Sequence, residues 1–535
     1  MACCALGCAK AQSSAPAQQN SASRPARTTS PVDSATLLVL PFENTSTVPG
    51  IEWIGEAIPE VIGSRLAVGG LYVISREDRL HAYDRLGIPV TLRPSHATLY
   101  RIAEEMDADF AVLGRYSFDG QTFTASAQIL DLKQLRLSKE FSERGPLPTL
   151  MDLSNALTWD VLHDLRPDAP SRATFLAASP NVRLDALENY IRGITASAGQ
   201  EQIRRLREAL RISPDYQRAL YQLGRTYFEM RDYPNAIATL TKLKPESSEA
   251  REGLFYAALS AYYQGDNAHA EEWFSQLASR MPLTEVYNDL AVAQLRLGKN
   301  AALQNFERAT RRDPNDADYH YNYALALYRF GDSAGAVRQL RESLNLKPGD
   351  AEAKAVLQAA SNGAPYSSAQ GPKPPAERVK RNYDETTFRQ AALEVERAAE
   401  ASMANADPAT HSRFHLERGR EFLNEGLPAE AEKNFREACE LRPQDAGAHA
   451  ALATALEREG DWKNARSEAE AANGNGPSAE AYVVLTRLDM RSGDLASATT
   501  DVQHALALQP DNAAAQMLDR EIKARRTASQ KSEQN

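Results

Sequence analysis

One recurring spacing limits what this chain can fold into. A glycine is followed after five residues by alanine, after four more by an apolar residue, after three more by a small or apolar one, and after five more by proline. The set appears as Gly265, Ala270, Phe274, Leu277 and Pro282, and as Gly331, Ala336, Leu340, Ser343 and Pro348. It returns as Gly426, Ala431, Phe435, Ala438 and Pro443, then as Gly460, Ala465, Ala469, Ala472 and Pro477, and finally as Gly493, Ala498, Val502, Ala505 and Pro510. Gly298, Ala302, Phe306, Ala309 and Pro314 are one residue short in the turn. Glycine supplies the positive φ needed between paired helices. The alanines let two helices cross closely, the larger apolar residue fills the space beside them, and proline ends the second helix. Such a unit cannot bury its apolar face alone, so successive copies must stack into a solenoid.

Pro314 and Pro348 are 34 residues apart, as are Pro443 and Pro477. With that period the pattern resembles the tetratricopeptide-repeat family over more than half the chain. Leu223, Gly224, Tyr227, Ala236 and Leu240 extend it towards the N-terminus until Pro245, and residues 184–214 read as a degenerate first helix pair. The expected layout is a first array of four or five repeats over residues 183–360, a Pro/Gly/Ser linker over 361–376, a connecting helix over 377–411, and a second array of three repeats over 412–526. Residues Ala351–Ala360 and Ala513–Arg526 are expected to cap the two arrays.

Residues 35–170 follow different rules. Thr36–Phe42 is an apolar run that predicts a buried strand, and Trp53–Leu66 has helical spacing. Leu71–Ser75 predicts a second strand, Ala97–Met106 a second helix, and Phe110–Ser117, Thr122–Asp131 and Leu135–Phe141 a three-strand meander turned at Asp119-Gly120. A helix over Leu150–Leu165 closes the unit. The segments LLVLPFENTS, IGEAIPEVIGSRLAVGGLYVISR and IAEEMDADFAVLGRYSFDGQTFTASAQILDLKQ resemble the TolB-like amino-terminal domain, related in shape to FlgO and CsgG-type envelope domains. The resemblance implies an envelope or signalling accessory domain without catalytic residues. The TolB propeller is absent, so its role does not transfer. The expected fold class is an α/β N-terminal domain followed by an all-α solenoid in two arrays.

Residues 1–34 predict a leader and a polar tether. MACCALGCAKA holds Cys3, Cys4 and Cys8, ends in the A-x-A-like Ala9-Lys10-Ala11, and contains Leu6-Gly7-Cys8, which resembles the end of a bacterial lipoprotein signal. Two readings stay open, a signal that begins upstream with Cys8 as a lipidation site, and a small-residue tail. Residues 12–34 cannot bury enough apolar surface to offset ordering entropy. Any membrane tether is expected through the N-terminus alone. The net charge of −10 argues against nucleic acid, which requires a basic footprint.

No catalytic, cofactor or metal residue is assigned. Gly331-Asp332-Ser333-Ala334-Gly335 fits G-x-S-x-G, but a nucleophile elbow needs a strand before it. His411 and His415 lack a third ligand at metal spacing and read as solvated, and Cys439 reads as inert packing. Twelve of the twenty tyrosines fall between Tyr216 and Tyr328. The resemblance implies that the first helix of each pair lines a concave groove. Its inner face selects Tyr221, Arg225, Phe228, Phe255, Tyr262, Tyr263, Asn288, Arg296, Tyr321, Tyr328 and Arg329. Tyr, Phe and Arg are enriched at binding hot spots, although tyrosine is also a core residue of such repeats. Leu416, Arg420, Asn424, Ala450, Thr454 and Arg458 form a secondary surface. The expected function is a non-catalytic scaffold that binds a partner protein or peptide in the groove, in the bacterial cell envelope or periplasm. The alternative is a cytoplasmic signalling output module, and an enzyme with an unrecognised site is a third reading.

Overall fold

The protein is described by a computed structural model that covers residues 35–533, apart from 69–70, 90–95, 168, 180–181, 198, 367–374, 386, 389–397, 399–402, 404–405 and 425. The leader, including Cys8, lies outside the described residues. In chain order the first unit runs β1 (Thr36–Val39), β2 (Glu43–Asn44), α1 (Ile54–Val68), β3 (Tyr72–Val73), α2 (Arg76–Arg85), α3 (His96–Glu105), β4 (Phe110–Phe118), β5 (Phe123–Asp131), β6 (Arg136–Leu137), β7 (Phe141–Gly145) and α4 (Leu150–Leu165). All four β1 residues are buried because both faces of the strand are covered. Leu37 and Val39 pack towards α1 and α4, while Leu38 and Leu40 pack towards α2 and α3. The sheet order is β3-β1-β4-β5-β6, with β2 paired to β4 and β7 to β5. β1 is parallel to β3 and β4, and β4 and β5 form a hairpin in which Phe118 faces Phe123. Its loop is set by Gly120 at φ 96° and by the Asp119 carboxylate, which accepts from the Gln121 and Thr122 amides.

Three details depart from the expected order, the first being strand β2, which pairs parallel to β4. Helix α2 was not expected, since its sequence REDRLHAYDR is nearly all polar. Ser75 caps it by accepting from the Asp78 amide, and only Arg79, Ala82 and Tyr83 are buried. The third meander strand is split into β6 and β7. Between them the Ser138 hydroxyl takes the Ile129 amide that a regular ladder would have used.

After α5 (Arg172–Ala177) every described element is a helix. The first array pairs α6 (Leu184–Thr195) with α7 (Gln200–Ile212), α8 (Gln217–Glu229) with α9 (Tyr233–Leu240), α10 (Ala250–Gln264) with α11 (Asn267–Ala278), α12 (Thr284–Arg296) with α13 (Ala301–Arg312), and α14 (Ala317–Arg329) with α15 (Ser333–Leu346). Helix α16 (Ala351–Ser361) packs against the last pair. The second array pairs α17 (Pro408–Asn424) with α18 (Pro428–Leu441), α19 (Ala446–Glu459) with α20 (Trp462–Asn475), and α21 (Ala479–Ser492) with α22 (Leu495–Leu508), and α23 (Ala513–Glu533) follows.

The recurring spacing has direct structural consequences. Gly265 turns the chain at φ 83°, and the next residue, Asp266, caps α11 by accepting from the His269 amide. Asp332, Asp461 and Asp494 cap their helices in the same way after their glycines. Ala270, Ala302, Ala336, Ala431, Ala465 and Ala498 are fully buried at the crossings. A side chain at Gly419 would come within 2.4 Å of the Phe435 ring, so helices α17 and α18 meet closer than an alanine allows.

The α/β unit is joined to the first array through α1. Ala57 and Val61 share a core with Leu187, Tyr190 and Ile191. Glu60 accepts from the Tyr190 hydroxyl at 2.7 Å and pairs with Arg218 at 3.1 Å. Arg65 donates to the carbonyls of Phe175 and Ala178.

One expectation fails. Residues 377–384, assigned to a connecting helix, are not helical. Residues 375–384 carry neither helix nor strand, because their polar groups find partners on the first array, while the described residues 385, 387, 388, 398, 403 and 408–411 of the expected helix are helical.

Candidate peptide-binding groove

Helices α10, α12, α14 and α16 present one shared face, and residues 376–385 lie along it as a strap that is neither helix nor strand until Glu385 opens a helical turn. At one end the Ala376 amide donates to Glu352, and at the other Glu385 pairs with Arg251 at 2.7 Å. The strap therefore runs from α16 back towards α10, opposite to the order of the repeats.

Its backbone is gripped by side chains. Asn288 of α12 and Asn322 of α14 both donate to the Arg378 carbonyl, at 3.0 and 2.7 Å. The Asn322 side-chain oxygen also accepts from the Arg378 amide at 2.8 Å, and the Asn322 side-chain Nδ2 donates to the Asn288 side-chain Oδ1 at 2.8 Å. Asp289 accepts from the Lys380 amide and Glu285 from the Asp384 amide, each at 2.9 Å. In an extended chain alternate amides point the same way, which brings residues 378 and 380 onto one wall. Burial pushes the Asp289 carboxyl well above the usual carboxylate range, and Glu285 is raised by the same cause.

The strap's side chains meet a matching charge order. The Arg378 guanidinium stacks 3.7 Å above the centre of the Tyr321 ring and pairs with Asp318 at 2.9 Å and Asp350 at 2.6 Å. Lys380 pairs with Asp316 at 2.6 Å and lies over Tyr319. Arg381 lies over Phe228 and Tyr263, and the Tyr383 ring packs 5.3 Å from Phe255. Glu377 meets Arg296, which itself covers Tyr262.

Of the residues projected onto the inner face, Phe228, Phe255, Tyr263, Asn288, Arg296 and Tyr321 touch the strap, and Tyr262 supports Arg296. The Tyr328 hydroxyl donates to the Ala364 carbonyl and its ring meets Tyr366, so it holds the linker. Arg329 is exposed on the surface. Tyr221 and Arg225 line a cleft of about 1660 Å³ between the α/β unit and the array, which Asn382, Tyr383 and Asp384 at the far end of the strap also line. Beside them Glu252, a third exposed, is pushed up to about 7 by burial within the cleft walls.

The projection missed Asn322, Asp289, Glu285 and the acidic residues Asp316, Asp318, Asp350 and Glu352. The 34-residue period would have led from Asn288 to Asn322. Asp316 and Asp350, also 34 apart, cap α14 and α16 while holding the strap's cations. On the second array, Ala450 and Thr454 are buried and Arg458 donates to the Leu423 carbonyl. Leu416 packs on the main core, and Arg420 and Asn424 are exposed.

The chemical patterns resolve into structure. Ser333 opens α15 after a helix, not a strand, and the Gly335 amide is bonded to Asp332. His415 is buried against Asn434 rather than solvated. Burial pushes the Cys439 thiol up to about 12. Among the described residues there is no group of three or more potential metal ligands, and no helix is long and apolar enough to cross a membrane.

Paired helices at constant spacing with a continuous inner face define a helical-repeat solenoid. Its repeats are tetratricopeptide repeats: models described as tetratricopeptide repeat match residues 218–244, 288–351 and 416–480. Proteins built on such repeats are in general non-catalytic interaction scaffolds that bind peptides or proteins. Among solved structures, the chain is similar to YrrB, titled a TPR protein with an unusual peptide-binding site, at 17% identity and a TM-score of 0.30, over 33% of this chain and 92% of that one. It is similar to the TPR2AB-domain:pHSP90 complex of yeast Sti1 at 17% identity and a TM-score of 0.20, over 51% and 97% of the two chains. It is also similar to the LpoB C-terminal domain from Salmonella enterica at 15% identity and a TM-score of 0.20, over 21% and 83%. No curated protein matches the chain in sequence.

Proposed function

We propose that the protein is a non-catalytic adaptor whose first array holds an extended peptide segment of a partner along its concave face. The supporting observation is the grip on residues 378–384, in which Asn288, Asn322, Asp289 and Glu285 bond main-chain groups rather than one particular side chain. Main-chain bonds give affinity for any extended segment, while the flanking pockets give selectivity. The second array, with fewer aromatic side chains on its inner face, is the secondary surface. We place the protein in the bacterial envelope, tethered through its leader, with the α/β unit as a TolB-like docking domain. The motive is the cysteine-bearing leader and polar tether at residues 1–34.

A photoreactive phenylalanine derivative at Tyr263, in the full chain expressed in its source organism, tests the groove. A discrete cross-linked partner is expected, lost in the Asn288→Ala/Asn322→Ala chain while its helical circular dichroism is unchanged. Cross-links that persist undiminished in that folded variant overturn the groove reading. Fractionation of the same cells tests the location, and a wholly cytoplasmic pool overturns it.

A further inference from the structure

We infer that residues 376–385 are a built-in occupant of the groove, and that the partner segment which displaces them carries the same charge order, a basic centre flanked by acidic residues. This rests on the groove reading above and adds to it both the class of ligand and the competitor.

The groove's charges are arranged in sequence along the strap. Arg296 meets Glu377, the acids Asp316, Asp318 and Asp350 meet Arg378 and Lys380, and Arg251 meets Glu385. An occupant with acids at its centre would set like charges against Asp318 and Asp350, which disfavours it. The cations are also seated on rings, Arg378 on Tyr321 and Lys380 on Tyr319. The pattern Glu377-Arg378-Val379-Lys380-Arg381, followed by Tyr383, Asp384 and Glu385, is thus a template for what the groove accepts.

The strap is attached to the array it fills. A short tether gives an effective concentration on the order of millimolar, so a free segment of micromolar affinity is outcompeted about a thousandfold. A natural partner must therefore bind better than the strap, bring a second contact, or meet the protein when the strap has been removed from the groove.

The test uses the full chain and a fluorescent synthetic peptide corresponding to residues 376–385. The native chain should bind it weakly. The Arg378→Ala/Lys380→Ala chain, in which the strap has lost its ion pairs, should bind it at least about tenfold more tightly. A peptide with both basic positions changed to glutamate should bind neither chain. Equal affinity of the native and altered chains for the native peptide would show that the strap does not compete, and overturns the inference while leaving the groove reading intact. Tight binding of the glutamate peptide overturns the charge template alone. If the altered chain remains folded and binds neither peptide, both readings fall. A second measurement needs no variant: hydrogen exchange at the amides of Arg378, Lys380 and Asp384 in the native chain should quicken with excess native peptide. Unchanged protection at millimolar peptide makes the strap a permanent part of the fold and overturns the inference, whatever the variant does.

Discussion

Asn288 and Asn322 show how much one side chain can depend on its repeat. Each is fully buried, a position where an amide needs several partners, and the strap's main chain supplies part of that need. Glu252 lies where the groove opens into the cleft by the α/β unit, and it is a carboxylate at a cost. Its folded-state pKa of about 7 against an ordinary 4.5 means that the folded chain holds a proton there which the unfolded chain releases. Stability contributed by this site should therefore fall as pH rises from about 4.5 to about 7. Glu252→Gln should remove that slope and melt higher than the native chain at pH above 7. Parallel thermal melts across this range check the sign, and a native chain that gains stability relative to the variant as pH rises contradicts it.

At the level of elements, the alanines at helix crossings are the features most sensitive to size. Ala498→Leu on α22 should cost about 1–3 kcal/mol by overpacking, while Ala496→Leu, exposed on the same helix, should stay within about 0.5 kcal/mol. Urea melts of the two variants decide whether the repeat register is right. The same elements explain what the sequence could convey. Repeat helices were readable because Gly265, Ala270 and Phe274 act within one helix pair and recur, so the signal accumulates. Helix α2 was not readable, because REDRLHAYDR owes its place to Ser75 and three buried residues and lacks an apolar stripe. The strap was misread for a related reason. Glu377–Glu385 has the charged composition of a surface helix, and the groups that hold residues 377–384 out of a helix lie at Asn288, Asn322 and Arg251, up to 134 residues away. Weighting aromatic and arginine side chains picked out Phe255, Arg296 and Tyr321 but passed over the acids that complete the groove.

Across the whole molecule, the α/β unit and the first array share the contact centred on Glu60. Replacing Glu60 by alanine leaves the Tyr190 hydroxyl without its acceptor and Arg218 without a main partner. The expected penalty is about 1–3 kcal/mol, read in calorimetry as an early transition of the α/β unit that separates from the array. A single unshifted transition would show that the apolar contact of Ala57 and Val61 suffices. The direction of the strap has a consequence in time as well as in space. The ribosome completes the array's last helix at Ser361 before it reaches Glu385, the final contact of the strap. At about 5–20 residues per second, that interval takes roughly one to five seconds. During each round of synthesis the newborn array presents its acidic floor uncovered, and a basic tail nearby can reach it before the chain's own segment has been made.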